Sequence, residues 1–473
     1  MKIINPRTGQ ADYEIAPLTA DSLKARIATV RKAQETWVAR SAAERSAILI
    51  ELGDAITRHK KAISDALILD TGRVKISRIE VDGIPLMLKR WADRAQSIIE
   101  RASPQGQPTG IPSITTATRQ VPYQVVGVIS PWNFPITLAL IDAIPALMAG
   151  CAVIIKPSEV TPRFIRPLMS AINDVAGLKD VLTLVEGDGT TGEAMVPLVD
   201  YIAFTGSVPT GRKVGMAAAS AFIPASLELG GKDPMLILAS ADPESAADIA
   251  LRSSIVNTGQ ACQSIERVYV ARQISDRFLL ELTQKAKAVE LNYPNINQGH
   301  IGPFIFSKQA QIVTAQIKDA LAKGAKLHSG GRVEELGGGF YLRPTVLSGV
   351  TPNMTVMTEE TFGPVIPVTV FDDVDVAVAM ANDSIYGLSG AVIAATLNEA
   401  EAVGIRLNVG GVSLNDGSLT SMIWEAEKSS FGLSGLGASR MGESGLLRFF
   451  RRQAILRQSG TAATISNFEE GKE

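Results

Sequence analysis

Apolar positions in the first hundred residues recur every three to four places, in Ala-, Lys-, Arg- and Leu-rich stretches such as Ala43–Arg58 and Ile84–Arg101. That spacing predicts amphipathic helices from residue 19 to about 102. Residues 103–119, SPQGQPTGIPSITTATR, break the pattern with three prolines and two glycines, which predicts a boundary loop with an exposed strand or hairpin. Beyond it, short unbroken apolar runs alternate with helical stretches. The runs are Val125–Ile129, Ala152–Ile155, Val181–Val185, Tyr201–Phe204 and Met235–Leu238; Leu138–Met148 and Arg163–Ala176 lie between them as helices. Short strands separated by helices predict βαβ units and a doubly wound parallel sheet, which binds ligands where its strands end. A second α/β region spans about 230 to 440. Helices Ala247–Ile255 and Ser275–Val289 flank Val268–Val270 there, with Ser275 as an N-cap, and helix Lys308–Leu321 precedes a Gly-rich loop, Gly330–Gly339. From Phe449 the tail carries Arg451, Arg452 and Arg457 among apolar residues and reads as an added strand with a loose end.

With 473 residues the chain is too long for one ordinary domain. Lys plus Arg number 46 against 48 Asp plus Glu, for a net charge of −2, so the basic excess of a nucleic-acid or anionic-membrane binder is missing. The N-terminus, MKIINPRTGQADYEIAP, lacks a signal-peptide core. The longest uncharged stretch, Gln120–Ile141, contains Pro122, Pro131 and Pro135 and is no membrane span. A cytoplasmic protein is expected. Two cysteines and three histidines exclude a disulfide framework and argue against any metal centre, so an enzyme of this composition works with few reactive groups.

Cys262 ends the run Asn257-Thr258-Gly259-Gln260-Ala261-Cys262. A cysteine after a Gly-Gln turn suits a nucleophile whose thiolate and developing oxyanion meet backbone N–H groups. The alternative is a buried apolar cysteine, the assignment given to Cys151 ahead of its core strand. A cysteine nucleophile usually needs a histidine base, yet His59, His300 and His328 have no flanking motif. Glu228, closing an apolar run before Gly230 and Gly231, is a carboxylate alternative if burial raises it; otherwise it is a solvated strand-end glutamate. Phe204-Thr205-Gly206-Ser207 follows a strand and opens a helix, where backbone and the Ser207 hydroxyl could hold a pyrophosphate; it is neither a Walker A loop nor a GxGxxG fingerprint. Gly187-Asp188-Gly189 is a second strand-end glycine pair. Lys156 and Glu159 cap the strand Ala152–Ile155 within reach of ribose hydroxyls. In Pro131-Trp132-Asn133-Phe134-Pro135 two prolines fix the backbone around an amide suited to an oxyanion hole. Any one of these segments alone could be an ordinary turn.

Together they resemble the aldehyde dehydrogenase superfamily of hydrolytic type. PWNFP at 131–135, KPSE at 156–159, FTGS at 204–207, ELGG at 228–231, GQAC at 259–262 and EETFGP at 359–364 stand in the family's order, and 34 positions separate Glu228 from Cys262. The resemblance extends to about Arg457. It implies an α/β fold of two doubly wound parallel-sheet domains plus a small β oligomerisation element. The NAD-binding domain would be 1–102 with 124–228, the catalytic domain 229–440, and the element 103–123 with 448–473, giving a homodimer or homotetramer. It further implies that Cys262 attacks a small-molecule aldehyde, that Asn133 and the Cys262 N–H hold the oxyanion, and that Glu228 activates the water that hydrolyses a thioester. Lys156 and Glu159 would meet the adenine ribose; Gly189, Ser207 and Gly211 the adenine and pyrophosphate side; Glu360 the nicotinamide ribose, with Phe362 packing nearby and Leu229 beside the nicotinamide. Ile129, Pro131, Trp132, Ser158, Phe204, Thr205 and Gly206 complete that cofactor list. Glu159 favours NAD over NADP, because a carboxylate bonds a 2′-hydroxyl and repels a 2′-phosphate.

The chain departs from the family pattern in places. Ile141-Asp142 stands where many members have Trp-Lys, Cys151 where asparagine is usual, and the SGxGRE glutamate is missing after Ser434, leaving Glu228 as sole base. Leu138, Ile141, Gln263, Leu419, Met422, Ile423 and Trp424 are expected at the substrate mouth, which predicts a hydrophobic aldehyde, aromatic or aliphatic. A semialdehyde such as succinate semialdehyde would want an arginine; Arg440 is a candidate, and Arg267 reads better as a support for the Cys262 loop. A CoA-acylating relative is disfavoured by Glu228, and a non-catalytic NAD-binding protein by the intact Cys262, Glu228 and Asn133.

Overall fold

Three larger sheets carry the architecture of the computed structural model, which describes residues 1–471. The first has six strands in the spatial order Gly435–Leu436, Ala225–Glu228, Tyr201–Thr205, Val125–Ile129, Ala152–Lys156 and Leu182–Leu184. All neighbours run parallel except the first pair. Its three central strands are buried at every position, which is why they read as unbroken Val/Ile runs. Helices Ala20–Val38, Ala42–Thr71, Lys75–Arg101 and Pro135–Ala149 pack around it. Ala42–Thr71 starts at a capping box, in which the Ser41 hydroxyl accepts from the Glu44 N–H and the Glu44 carboxylate accepts from the Ser41 N–H at 2.6 Å; it stops at Gly72 in the left-handed region. The buried Trp37 indole donates to the Leu147 carbonyl at 2.9 Å, tying the first helix to Pro135–Ala149.

The second sheet has seven strands: Lys326–Ser329, Thr345–Ser348, Val365–Phe371, Ile265–Ala271, Asp233–Ile237, Ser389–Ile393 and Gly411–Leu414. Only Lys326–Ser329, at one edge, is antiparallel. The third sheet joins the two separated segments that the sequence suggested would meet. Phe450–Gln458 pairs antiparallel with Ile114–Pro122 from Phe450↔Pro122 to Gln458↔Ile114, and Gln107–Pro108 lies on the far side. Residues 472 and 473, the end of the expected 448–473 piece, lie outside the described residues.

Several expectations are corrected. Gly435–Leu436, counted with the catalytic domain, instead pairs with Ala225–Glu228, covering the edge of the first sheet; an open edge strand would leave a row of unpaired backbone groups. Ser275 is no N-cap: the helix runs Arg272–Ala288, and the Ser275 hydroxyl donates back to the Arg272 carbonyl. The Gly-rich loop is largely a hairpin, Val333–Leu336 with Gly339–Leu342. Among the described residues no helix is long and apolar enough to cross a membrane, and no His, Cys, Asp and Glu cluster could hold a metal ion.

Trp91, fully buried on Lys75–Arg101, meets Trp424 edge-on with centroids 4.8 Å apart. Trp91→Ala is expected to cost about 3–5 kcal/mol of stability, read as a lowered denaturant midpoint.

Candidate active site at the seam of the two sheets

The loop that leads into Cys262 is held in a conformation that its sequence would avoid if free. After helix Pro243–Ile255, residues Asn257, Thr258 and Gly259 all take positive φ, at 60°, 61° and 68°. Left-handed backbone is costly for asparagine and more so for threonine. The surroundings hold it there. The Asn257 amide donates to the carbonyls of Asn133 (3.1 Å) and Gln260 (2.9 Å). Thr258 Oγ1 bonds both backbone groups of Gly302, and Gln260 Oε1 accepts from the Ile305 N–H at 2.9 Å. A Cβ on Gly259 would lie 2.4 Å from the Gly363 carbonyl, so only glycine fits. Cys262 follows, half-buried, just ahead of strand Ile265–Ala271.

Asn133 is brought to this loop. Its Nδ2 donates to the Gln260 carbonyl at 3.0 Å, and the buried Arg73 donates to the Asn133 carbonyl at 3.1 Å. The second Nδ2 hydrogen remains for another acceptor. Glu228 ends its strand between Thr205 on one side and Gly435 on the other. Ser430 donates to its Oε2 at 3.2 Å, and Arg440 Nε stands 3.9 Å from its Oε1. Burial pushes the Cys262 thiol up to about 11; Lys428 and Arg440 pull it down, Asp233 and Glu360 push it further up. None of the three histidines bonds Cys262: His59 pairs with Asp174 and His328 with Ser348, while His300 accepts from the Glu290 N–H.

Gly230 and Gly231 join these parts. A Cβ on Gly230 would lie 2.4 Å from the Glu360 carboxylate, and one on Gly231 2.9 Å from the Cys262 carbonyl. ELGG, GQAC and EETFGP therefore meet at one backbone crossing. Burial, followed by repulsion from Glu266, raises the Glu360 carboxyl, which accepts from the Gly231 N–H at 3.3 Å. Its loop is fixed from below. Lys232 Nζ lies 2.8 Å from Glu266 and donates to Thr361 Oγ1, while Glu266 accepts from the N–H groups of Thr361 and Phe362. Phe362, at φ 52°, stands edge-on to Trp132 at 5.3 Å.

The residues expected to hold a cofactor line adjacent strand ends. Ile129 is in register with both Lys156 and Phe204, and Thr205 with Glu228. Lys156 Nζ lies 3.0 Å from Glu159, and Ser158 is buried just beyond. Gly206 and Ser207 precede helix Val208–Ser220, whose first turn has no side-chain cap; the Ser207 hydroxyl bonds Thr210 instead. Gly211 packs on Leu229 so closely that a Cβ would lie 2.4 Å from it. Gly189 is exposed at the start of helix Gly189–Met195, capped by Asp188. Two carboxylates for sugar hydroxyls, a buried ammonium and an open helix start fit a dinucleotide.

Of the residues expected at the substrate mouth, Leu138, Ile141 and Leu419 are partly buried, and Gln263 accepts from Thr420 at 2.7 Å. Pro131 is partly buried beside Trp132, while Met422 and Ile423 are exposed. Trp424 departs from expectation. Its ring is buried against Trp91, with the Arg90 and Arg94 guanidiniums 5.5 and 5.1 Å from its centroid, so its apolar surface is used by helix Lys75–Arg101. Arg267 bonds the Lys232 and Ala381 carbonyls, at 2.9 and 2.8 Å, and supports the base of the loop. Three contributors escaped the sequence: Arg73, Ser430 and Lys428. Only contacts made in the folded chain reveal the first two, and a lone lysine in a polar loop carries no signal.

The match to known proteins agrees with this geometry. Residues 1–455 match the model of the aldehyde dehydrogenase family. A Mycolicibacterium smegmatis protein provisionally named succinate-semialdehyde dehydrogenase (NADP(+)) is 34% identical over 452 residues, covering 95% of this chain and 87% of that protein. A betaine aldehyde dehydrogenase of Rhizobium leguminosarum is 35% identical over 416 residues, 87% of this chain and 84% of that one. Among solved structures, an Anabaena variabilis protein provisionally named an aldehyde dehydrogenase is 48% identical, covers 98% of both chains and superposes with a TM-score of 0.96. Escherichia coli lactaldehyde dehydrogenase gives 31%, 97% and 96%, and 0.90. A Staphylococcus aureus betaine aldehyde dehydrogenase in complex with NAD+ gives 30%, 98% and 92%, and 0.90. The chain belongs to the aldehyde dehydrogenase family. It is an oxidoreductase of that class.

Two outcomes test the site's physical state. Alkylation of Cys262 by iodoacetamide should accelerate about tenfold per pH unit between about pH 7 and 9.5, because the thiolate is the minor form there. Cys151, fully buried with its thiol pushed up by burial, should stay unlabelled until the protein unfolds, as peptide mapping would show. Trp424→Ala should lower the melting temperature yet leave kcat/KM for apolar aldehydes within about threefold, since core truncation acts on stability.

Proposed function

We propose that the protein oxidises a hydrophobic aldehyde, aromatic or aliphatic, to its carboxylic acid, with NAD preferred over NADP. The observation that carries the reaction is the convergence of Cys262, Asn133 and Glu228 on one seam, with Arg440 acting electrostatically on both Cys262 and Glu228. The Cys262 thiolate adds to the aldehyde carbonyl. The free Asn133 amide hydrogen and the Cys262 N–H stabilise the oxyanion. A bound NAD(P) would supply the acceptor for the hydride that leaves the substrate carbon. The acyl group then sits on Cys262 as a thioester. Glu228 takes a proton from water, the hydroxide adds to the thioester carbonyl, and the carbonyl re-forms as the thiolate departs. Lys156 and Glu159 would hold the adenine ribose, the start of helix Val208–Ser220 the pyrophosphate, and Glu360 the nicotinamide ribose.

Glu159 supports the preference for NAD, and the relatives differ on this point, one named for NADP(+) and another solved with NAD+. Leu138, Ile141 and Leu419 support the hydrophobic substrate. A second reading, a carboxylated semialdehyde, is favoured by Lys428. This half-buried cation pulls down the Cys262 thiol, makes no ion pair among the described residues, and runs its stem past Gly411 beside Thr420, which bonds Gln263. The exposed antiparallel sheet of Phe450–Gln458 and Ile114–Pro122 supports assembly into a dimer or tetramer.

Cys262→Ser should lower kcat by about 10³-fold or more while retaining NAD binding, and Asn133→Ala should lower it about 10²–10³-fold. Steady-state kinetics with benzaldehyde-type, medium-chain and semialdehyde substrates decides between the readings. Highest kcat/KM on succinate semialdehyde, lost in Lys428→Ala, would replace the hydrophobic reading by the second. Higher kcat/KM with NADP would overturn the cofactor preference. Light scattering should give a multiple of 50.2 kDa.

A further inference from the structure

Asp142 stands where the family resemblance leads one to expect a lysine, and it is fully buried on helix Pro135–Ala149. It carries two guanidinium groups. One oxygen accepts from Arg440 at 2.9 Å, and the other pairs with Arg448. Burial alone would push the Asp142 carboxyl up, but the two arginines hold it below the ordinary carboxylate range. The same terminal nitrogen of Arg440 donates to Thr205 Oγ1 at 2.5 Å, and Thr205 sits in register beside Glu228. Arg440 is thus anchored through one nitrogen only. Its Nε–H is buried, has no hydrogen-bond partner, and stands 3.9 Å from Glu228 Oε1. The other Glu228 oxygen accepts from Ser430. A movement of about 1 Å by either side chain closes a charge-assisted hydrogen bond.

We propose that Arg440 is a positioning residue for Glu228: fixed by Asp142 and Thr205, it offers its free Nε–H to the carboxylate and, with Ser430, sets the orientation in which Glu228 activates water. The inference rests on Glu228 being the base of the hydrolytic half-reaction. It also gives Arg440 a task other than gripping a substrate carboxylate, because its charge is already faced by Asp142 and Glu228.

Pre-steady-state kinetics of Arg440→Gln, with NAD and the best aldehyde, separates this role from a structural one. General-base assistance is worth about 10²–10⁴-fold, so partial loss of its placement should lower steady-state turnover about tenfold or more. A burst of one NADH per subunit should persist in amplitude, its rate reduced less than steady-state turnover: losing the Arg440 charge makes the Cys262 thiolate harder to form, but acylation does not use the base. Added hydroxylamine should restore turnover: its nitrogen attacks the thioester carbonyl, releases the Cys262 thiol and yields the hydroxamate, with no need of a placed base. Arg440→Lys, which keeps the charge beside Asp142 but loses the Nε–H, should show the same pattern more weakly, and carries the test if the glutamine variant does not fold. Burst amplitude and turnover falling together, or unchanged turnover, would overturn the proposal. Glu228→Gln runs in parallel. If it keeps parental turnover, the assignment of the base has failed; if it shows burst and rescue while both Arg440 variants do not, only the role of Arg440 has failed.

Discussion

The polypeptide leaves one large sheet at Glu228 and enters the other at Asp233, so four residues, Leu229–Lys232, span the seam. Everything at the site is arranged around that crossing. Gly230 lets the Glu360 carboxylate approach on one side, and Gly231 lets the Cys262 carbonyl approach on the other. Lys232 then turns inward to Glu266 and Thr361 and fixes the loop that carries Glu360. A longer or bulkier crossing would separate the end of one sheet from the Cys262 loop of the other. The short spacing therefore brings residues of two independently built sheets to one place.

Precision at the seam is maintained against local preference. Three consecutive left-handed residues lead into Cys262, and a buried lysine and several buried carboxylates lie around it. Each is unfavourable in isolation. The compensation is a dense set of backbone and amide hydrogen bonds to Asn133, Gly302 and Ile305, which come from separate parts of the chain. The loop is thus held in place without regular secondary structure, and the direction of Cys262 is fixed with it.

Much of this was legible in the sequence, for physical reasons. Buried parallel strands leave unbroken apolar runs, so Val125–Ile129 and Ala152–Ile155 could be located nearly to the residue. Motifs placed where strands end signalled the ligand edge of the sheet. Other features depended on partners remote in sequence. Gly435–Leu436 carries no strand pattern, and it pairs because the edge at Ala225–Glu228 needs cover. Trp424 looked like substrate lining because an apolar loop residue has two outlets, solvent-side cleft or neighbouring helix; Trp91, more than 300 positions earlier, decides between them. Ser275 had the chemistry of a cap, but the helix began before it.

The Asp142 site also constrains the chain's history. A buried anion here faces two buried guanidiniums: a lysine at 142 would place three cations together in the core, whereas the loss of one arginine still leaves the carboxylate a counter-charge. A lysine at 142 is therefore incompatible with keeping both arginines. A relative with aspartate at the place of 142 should carry an arginine at the place of 440 or 448, and one with lysine there should lack at least one of them. That difference offers a marker for sorting sequences of this family by the charge buried beside the strand that ends at Glu228.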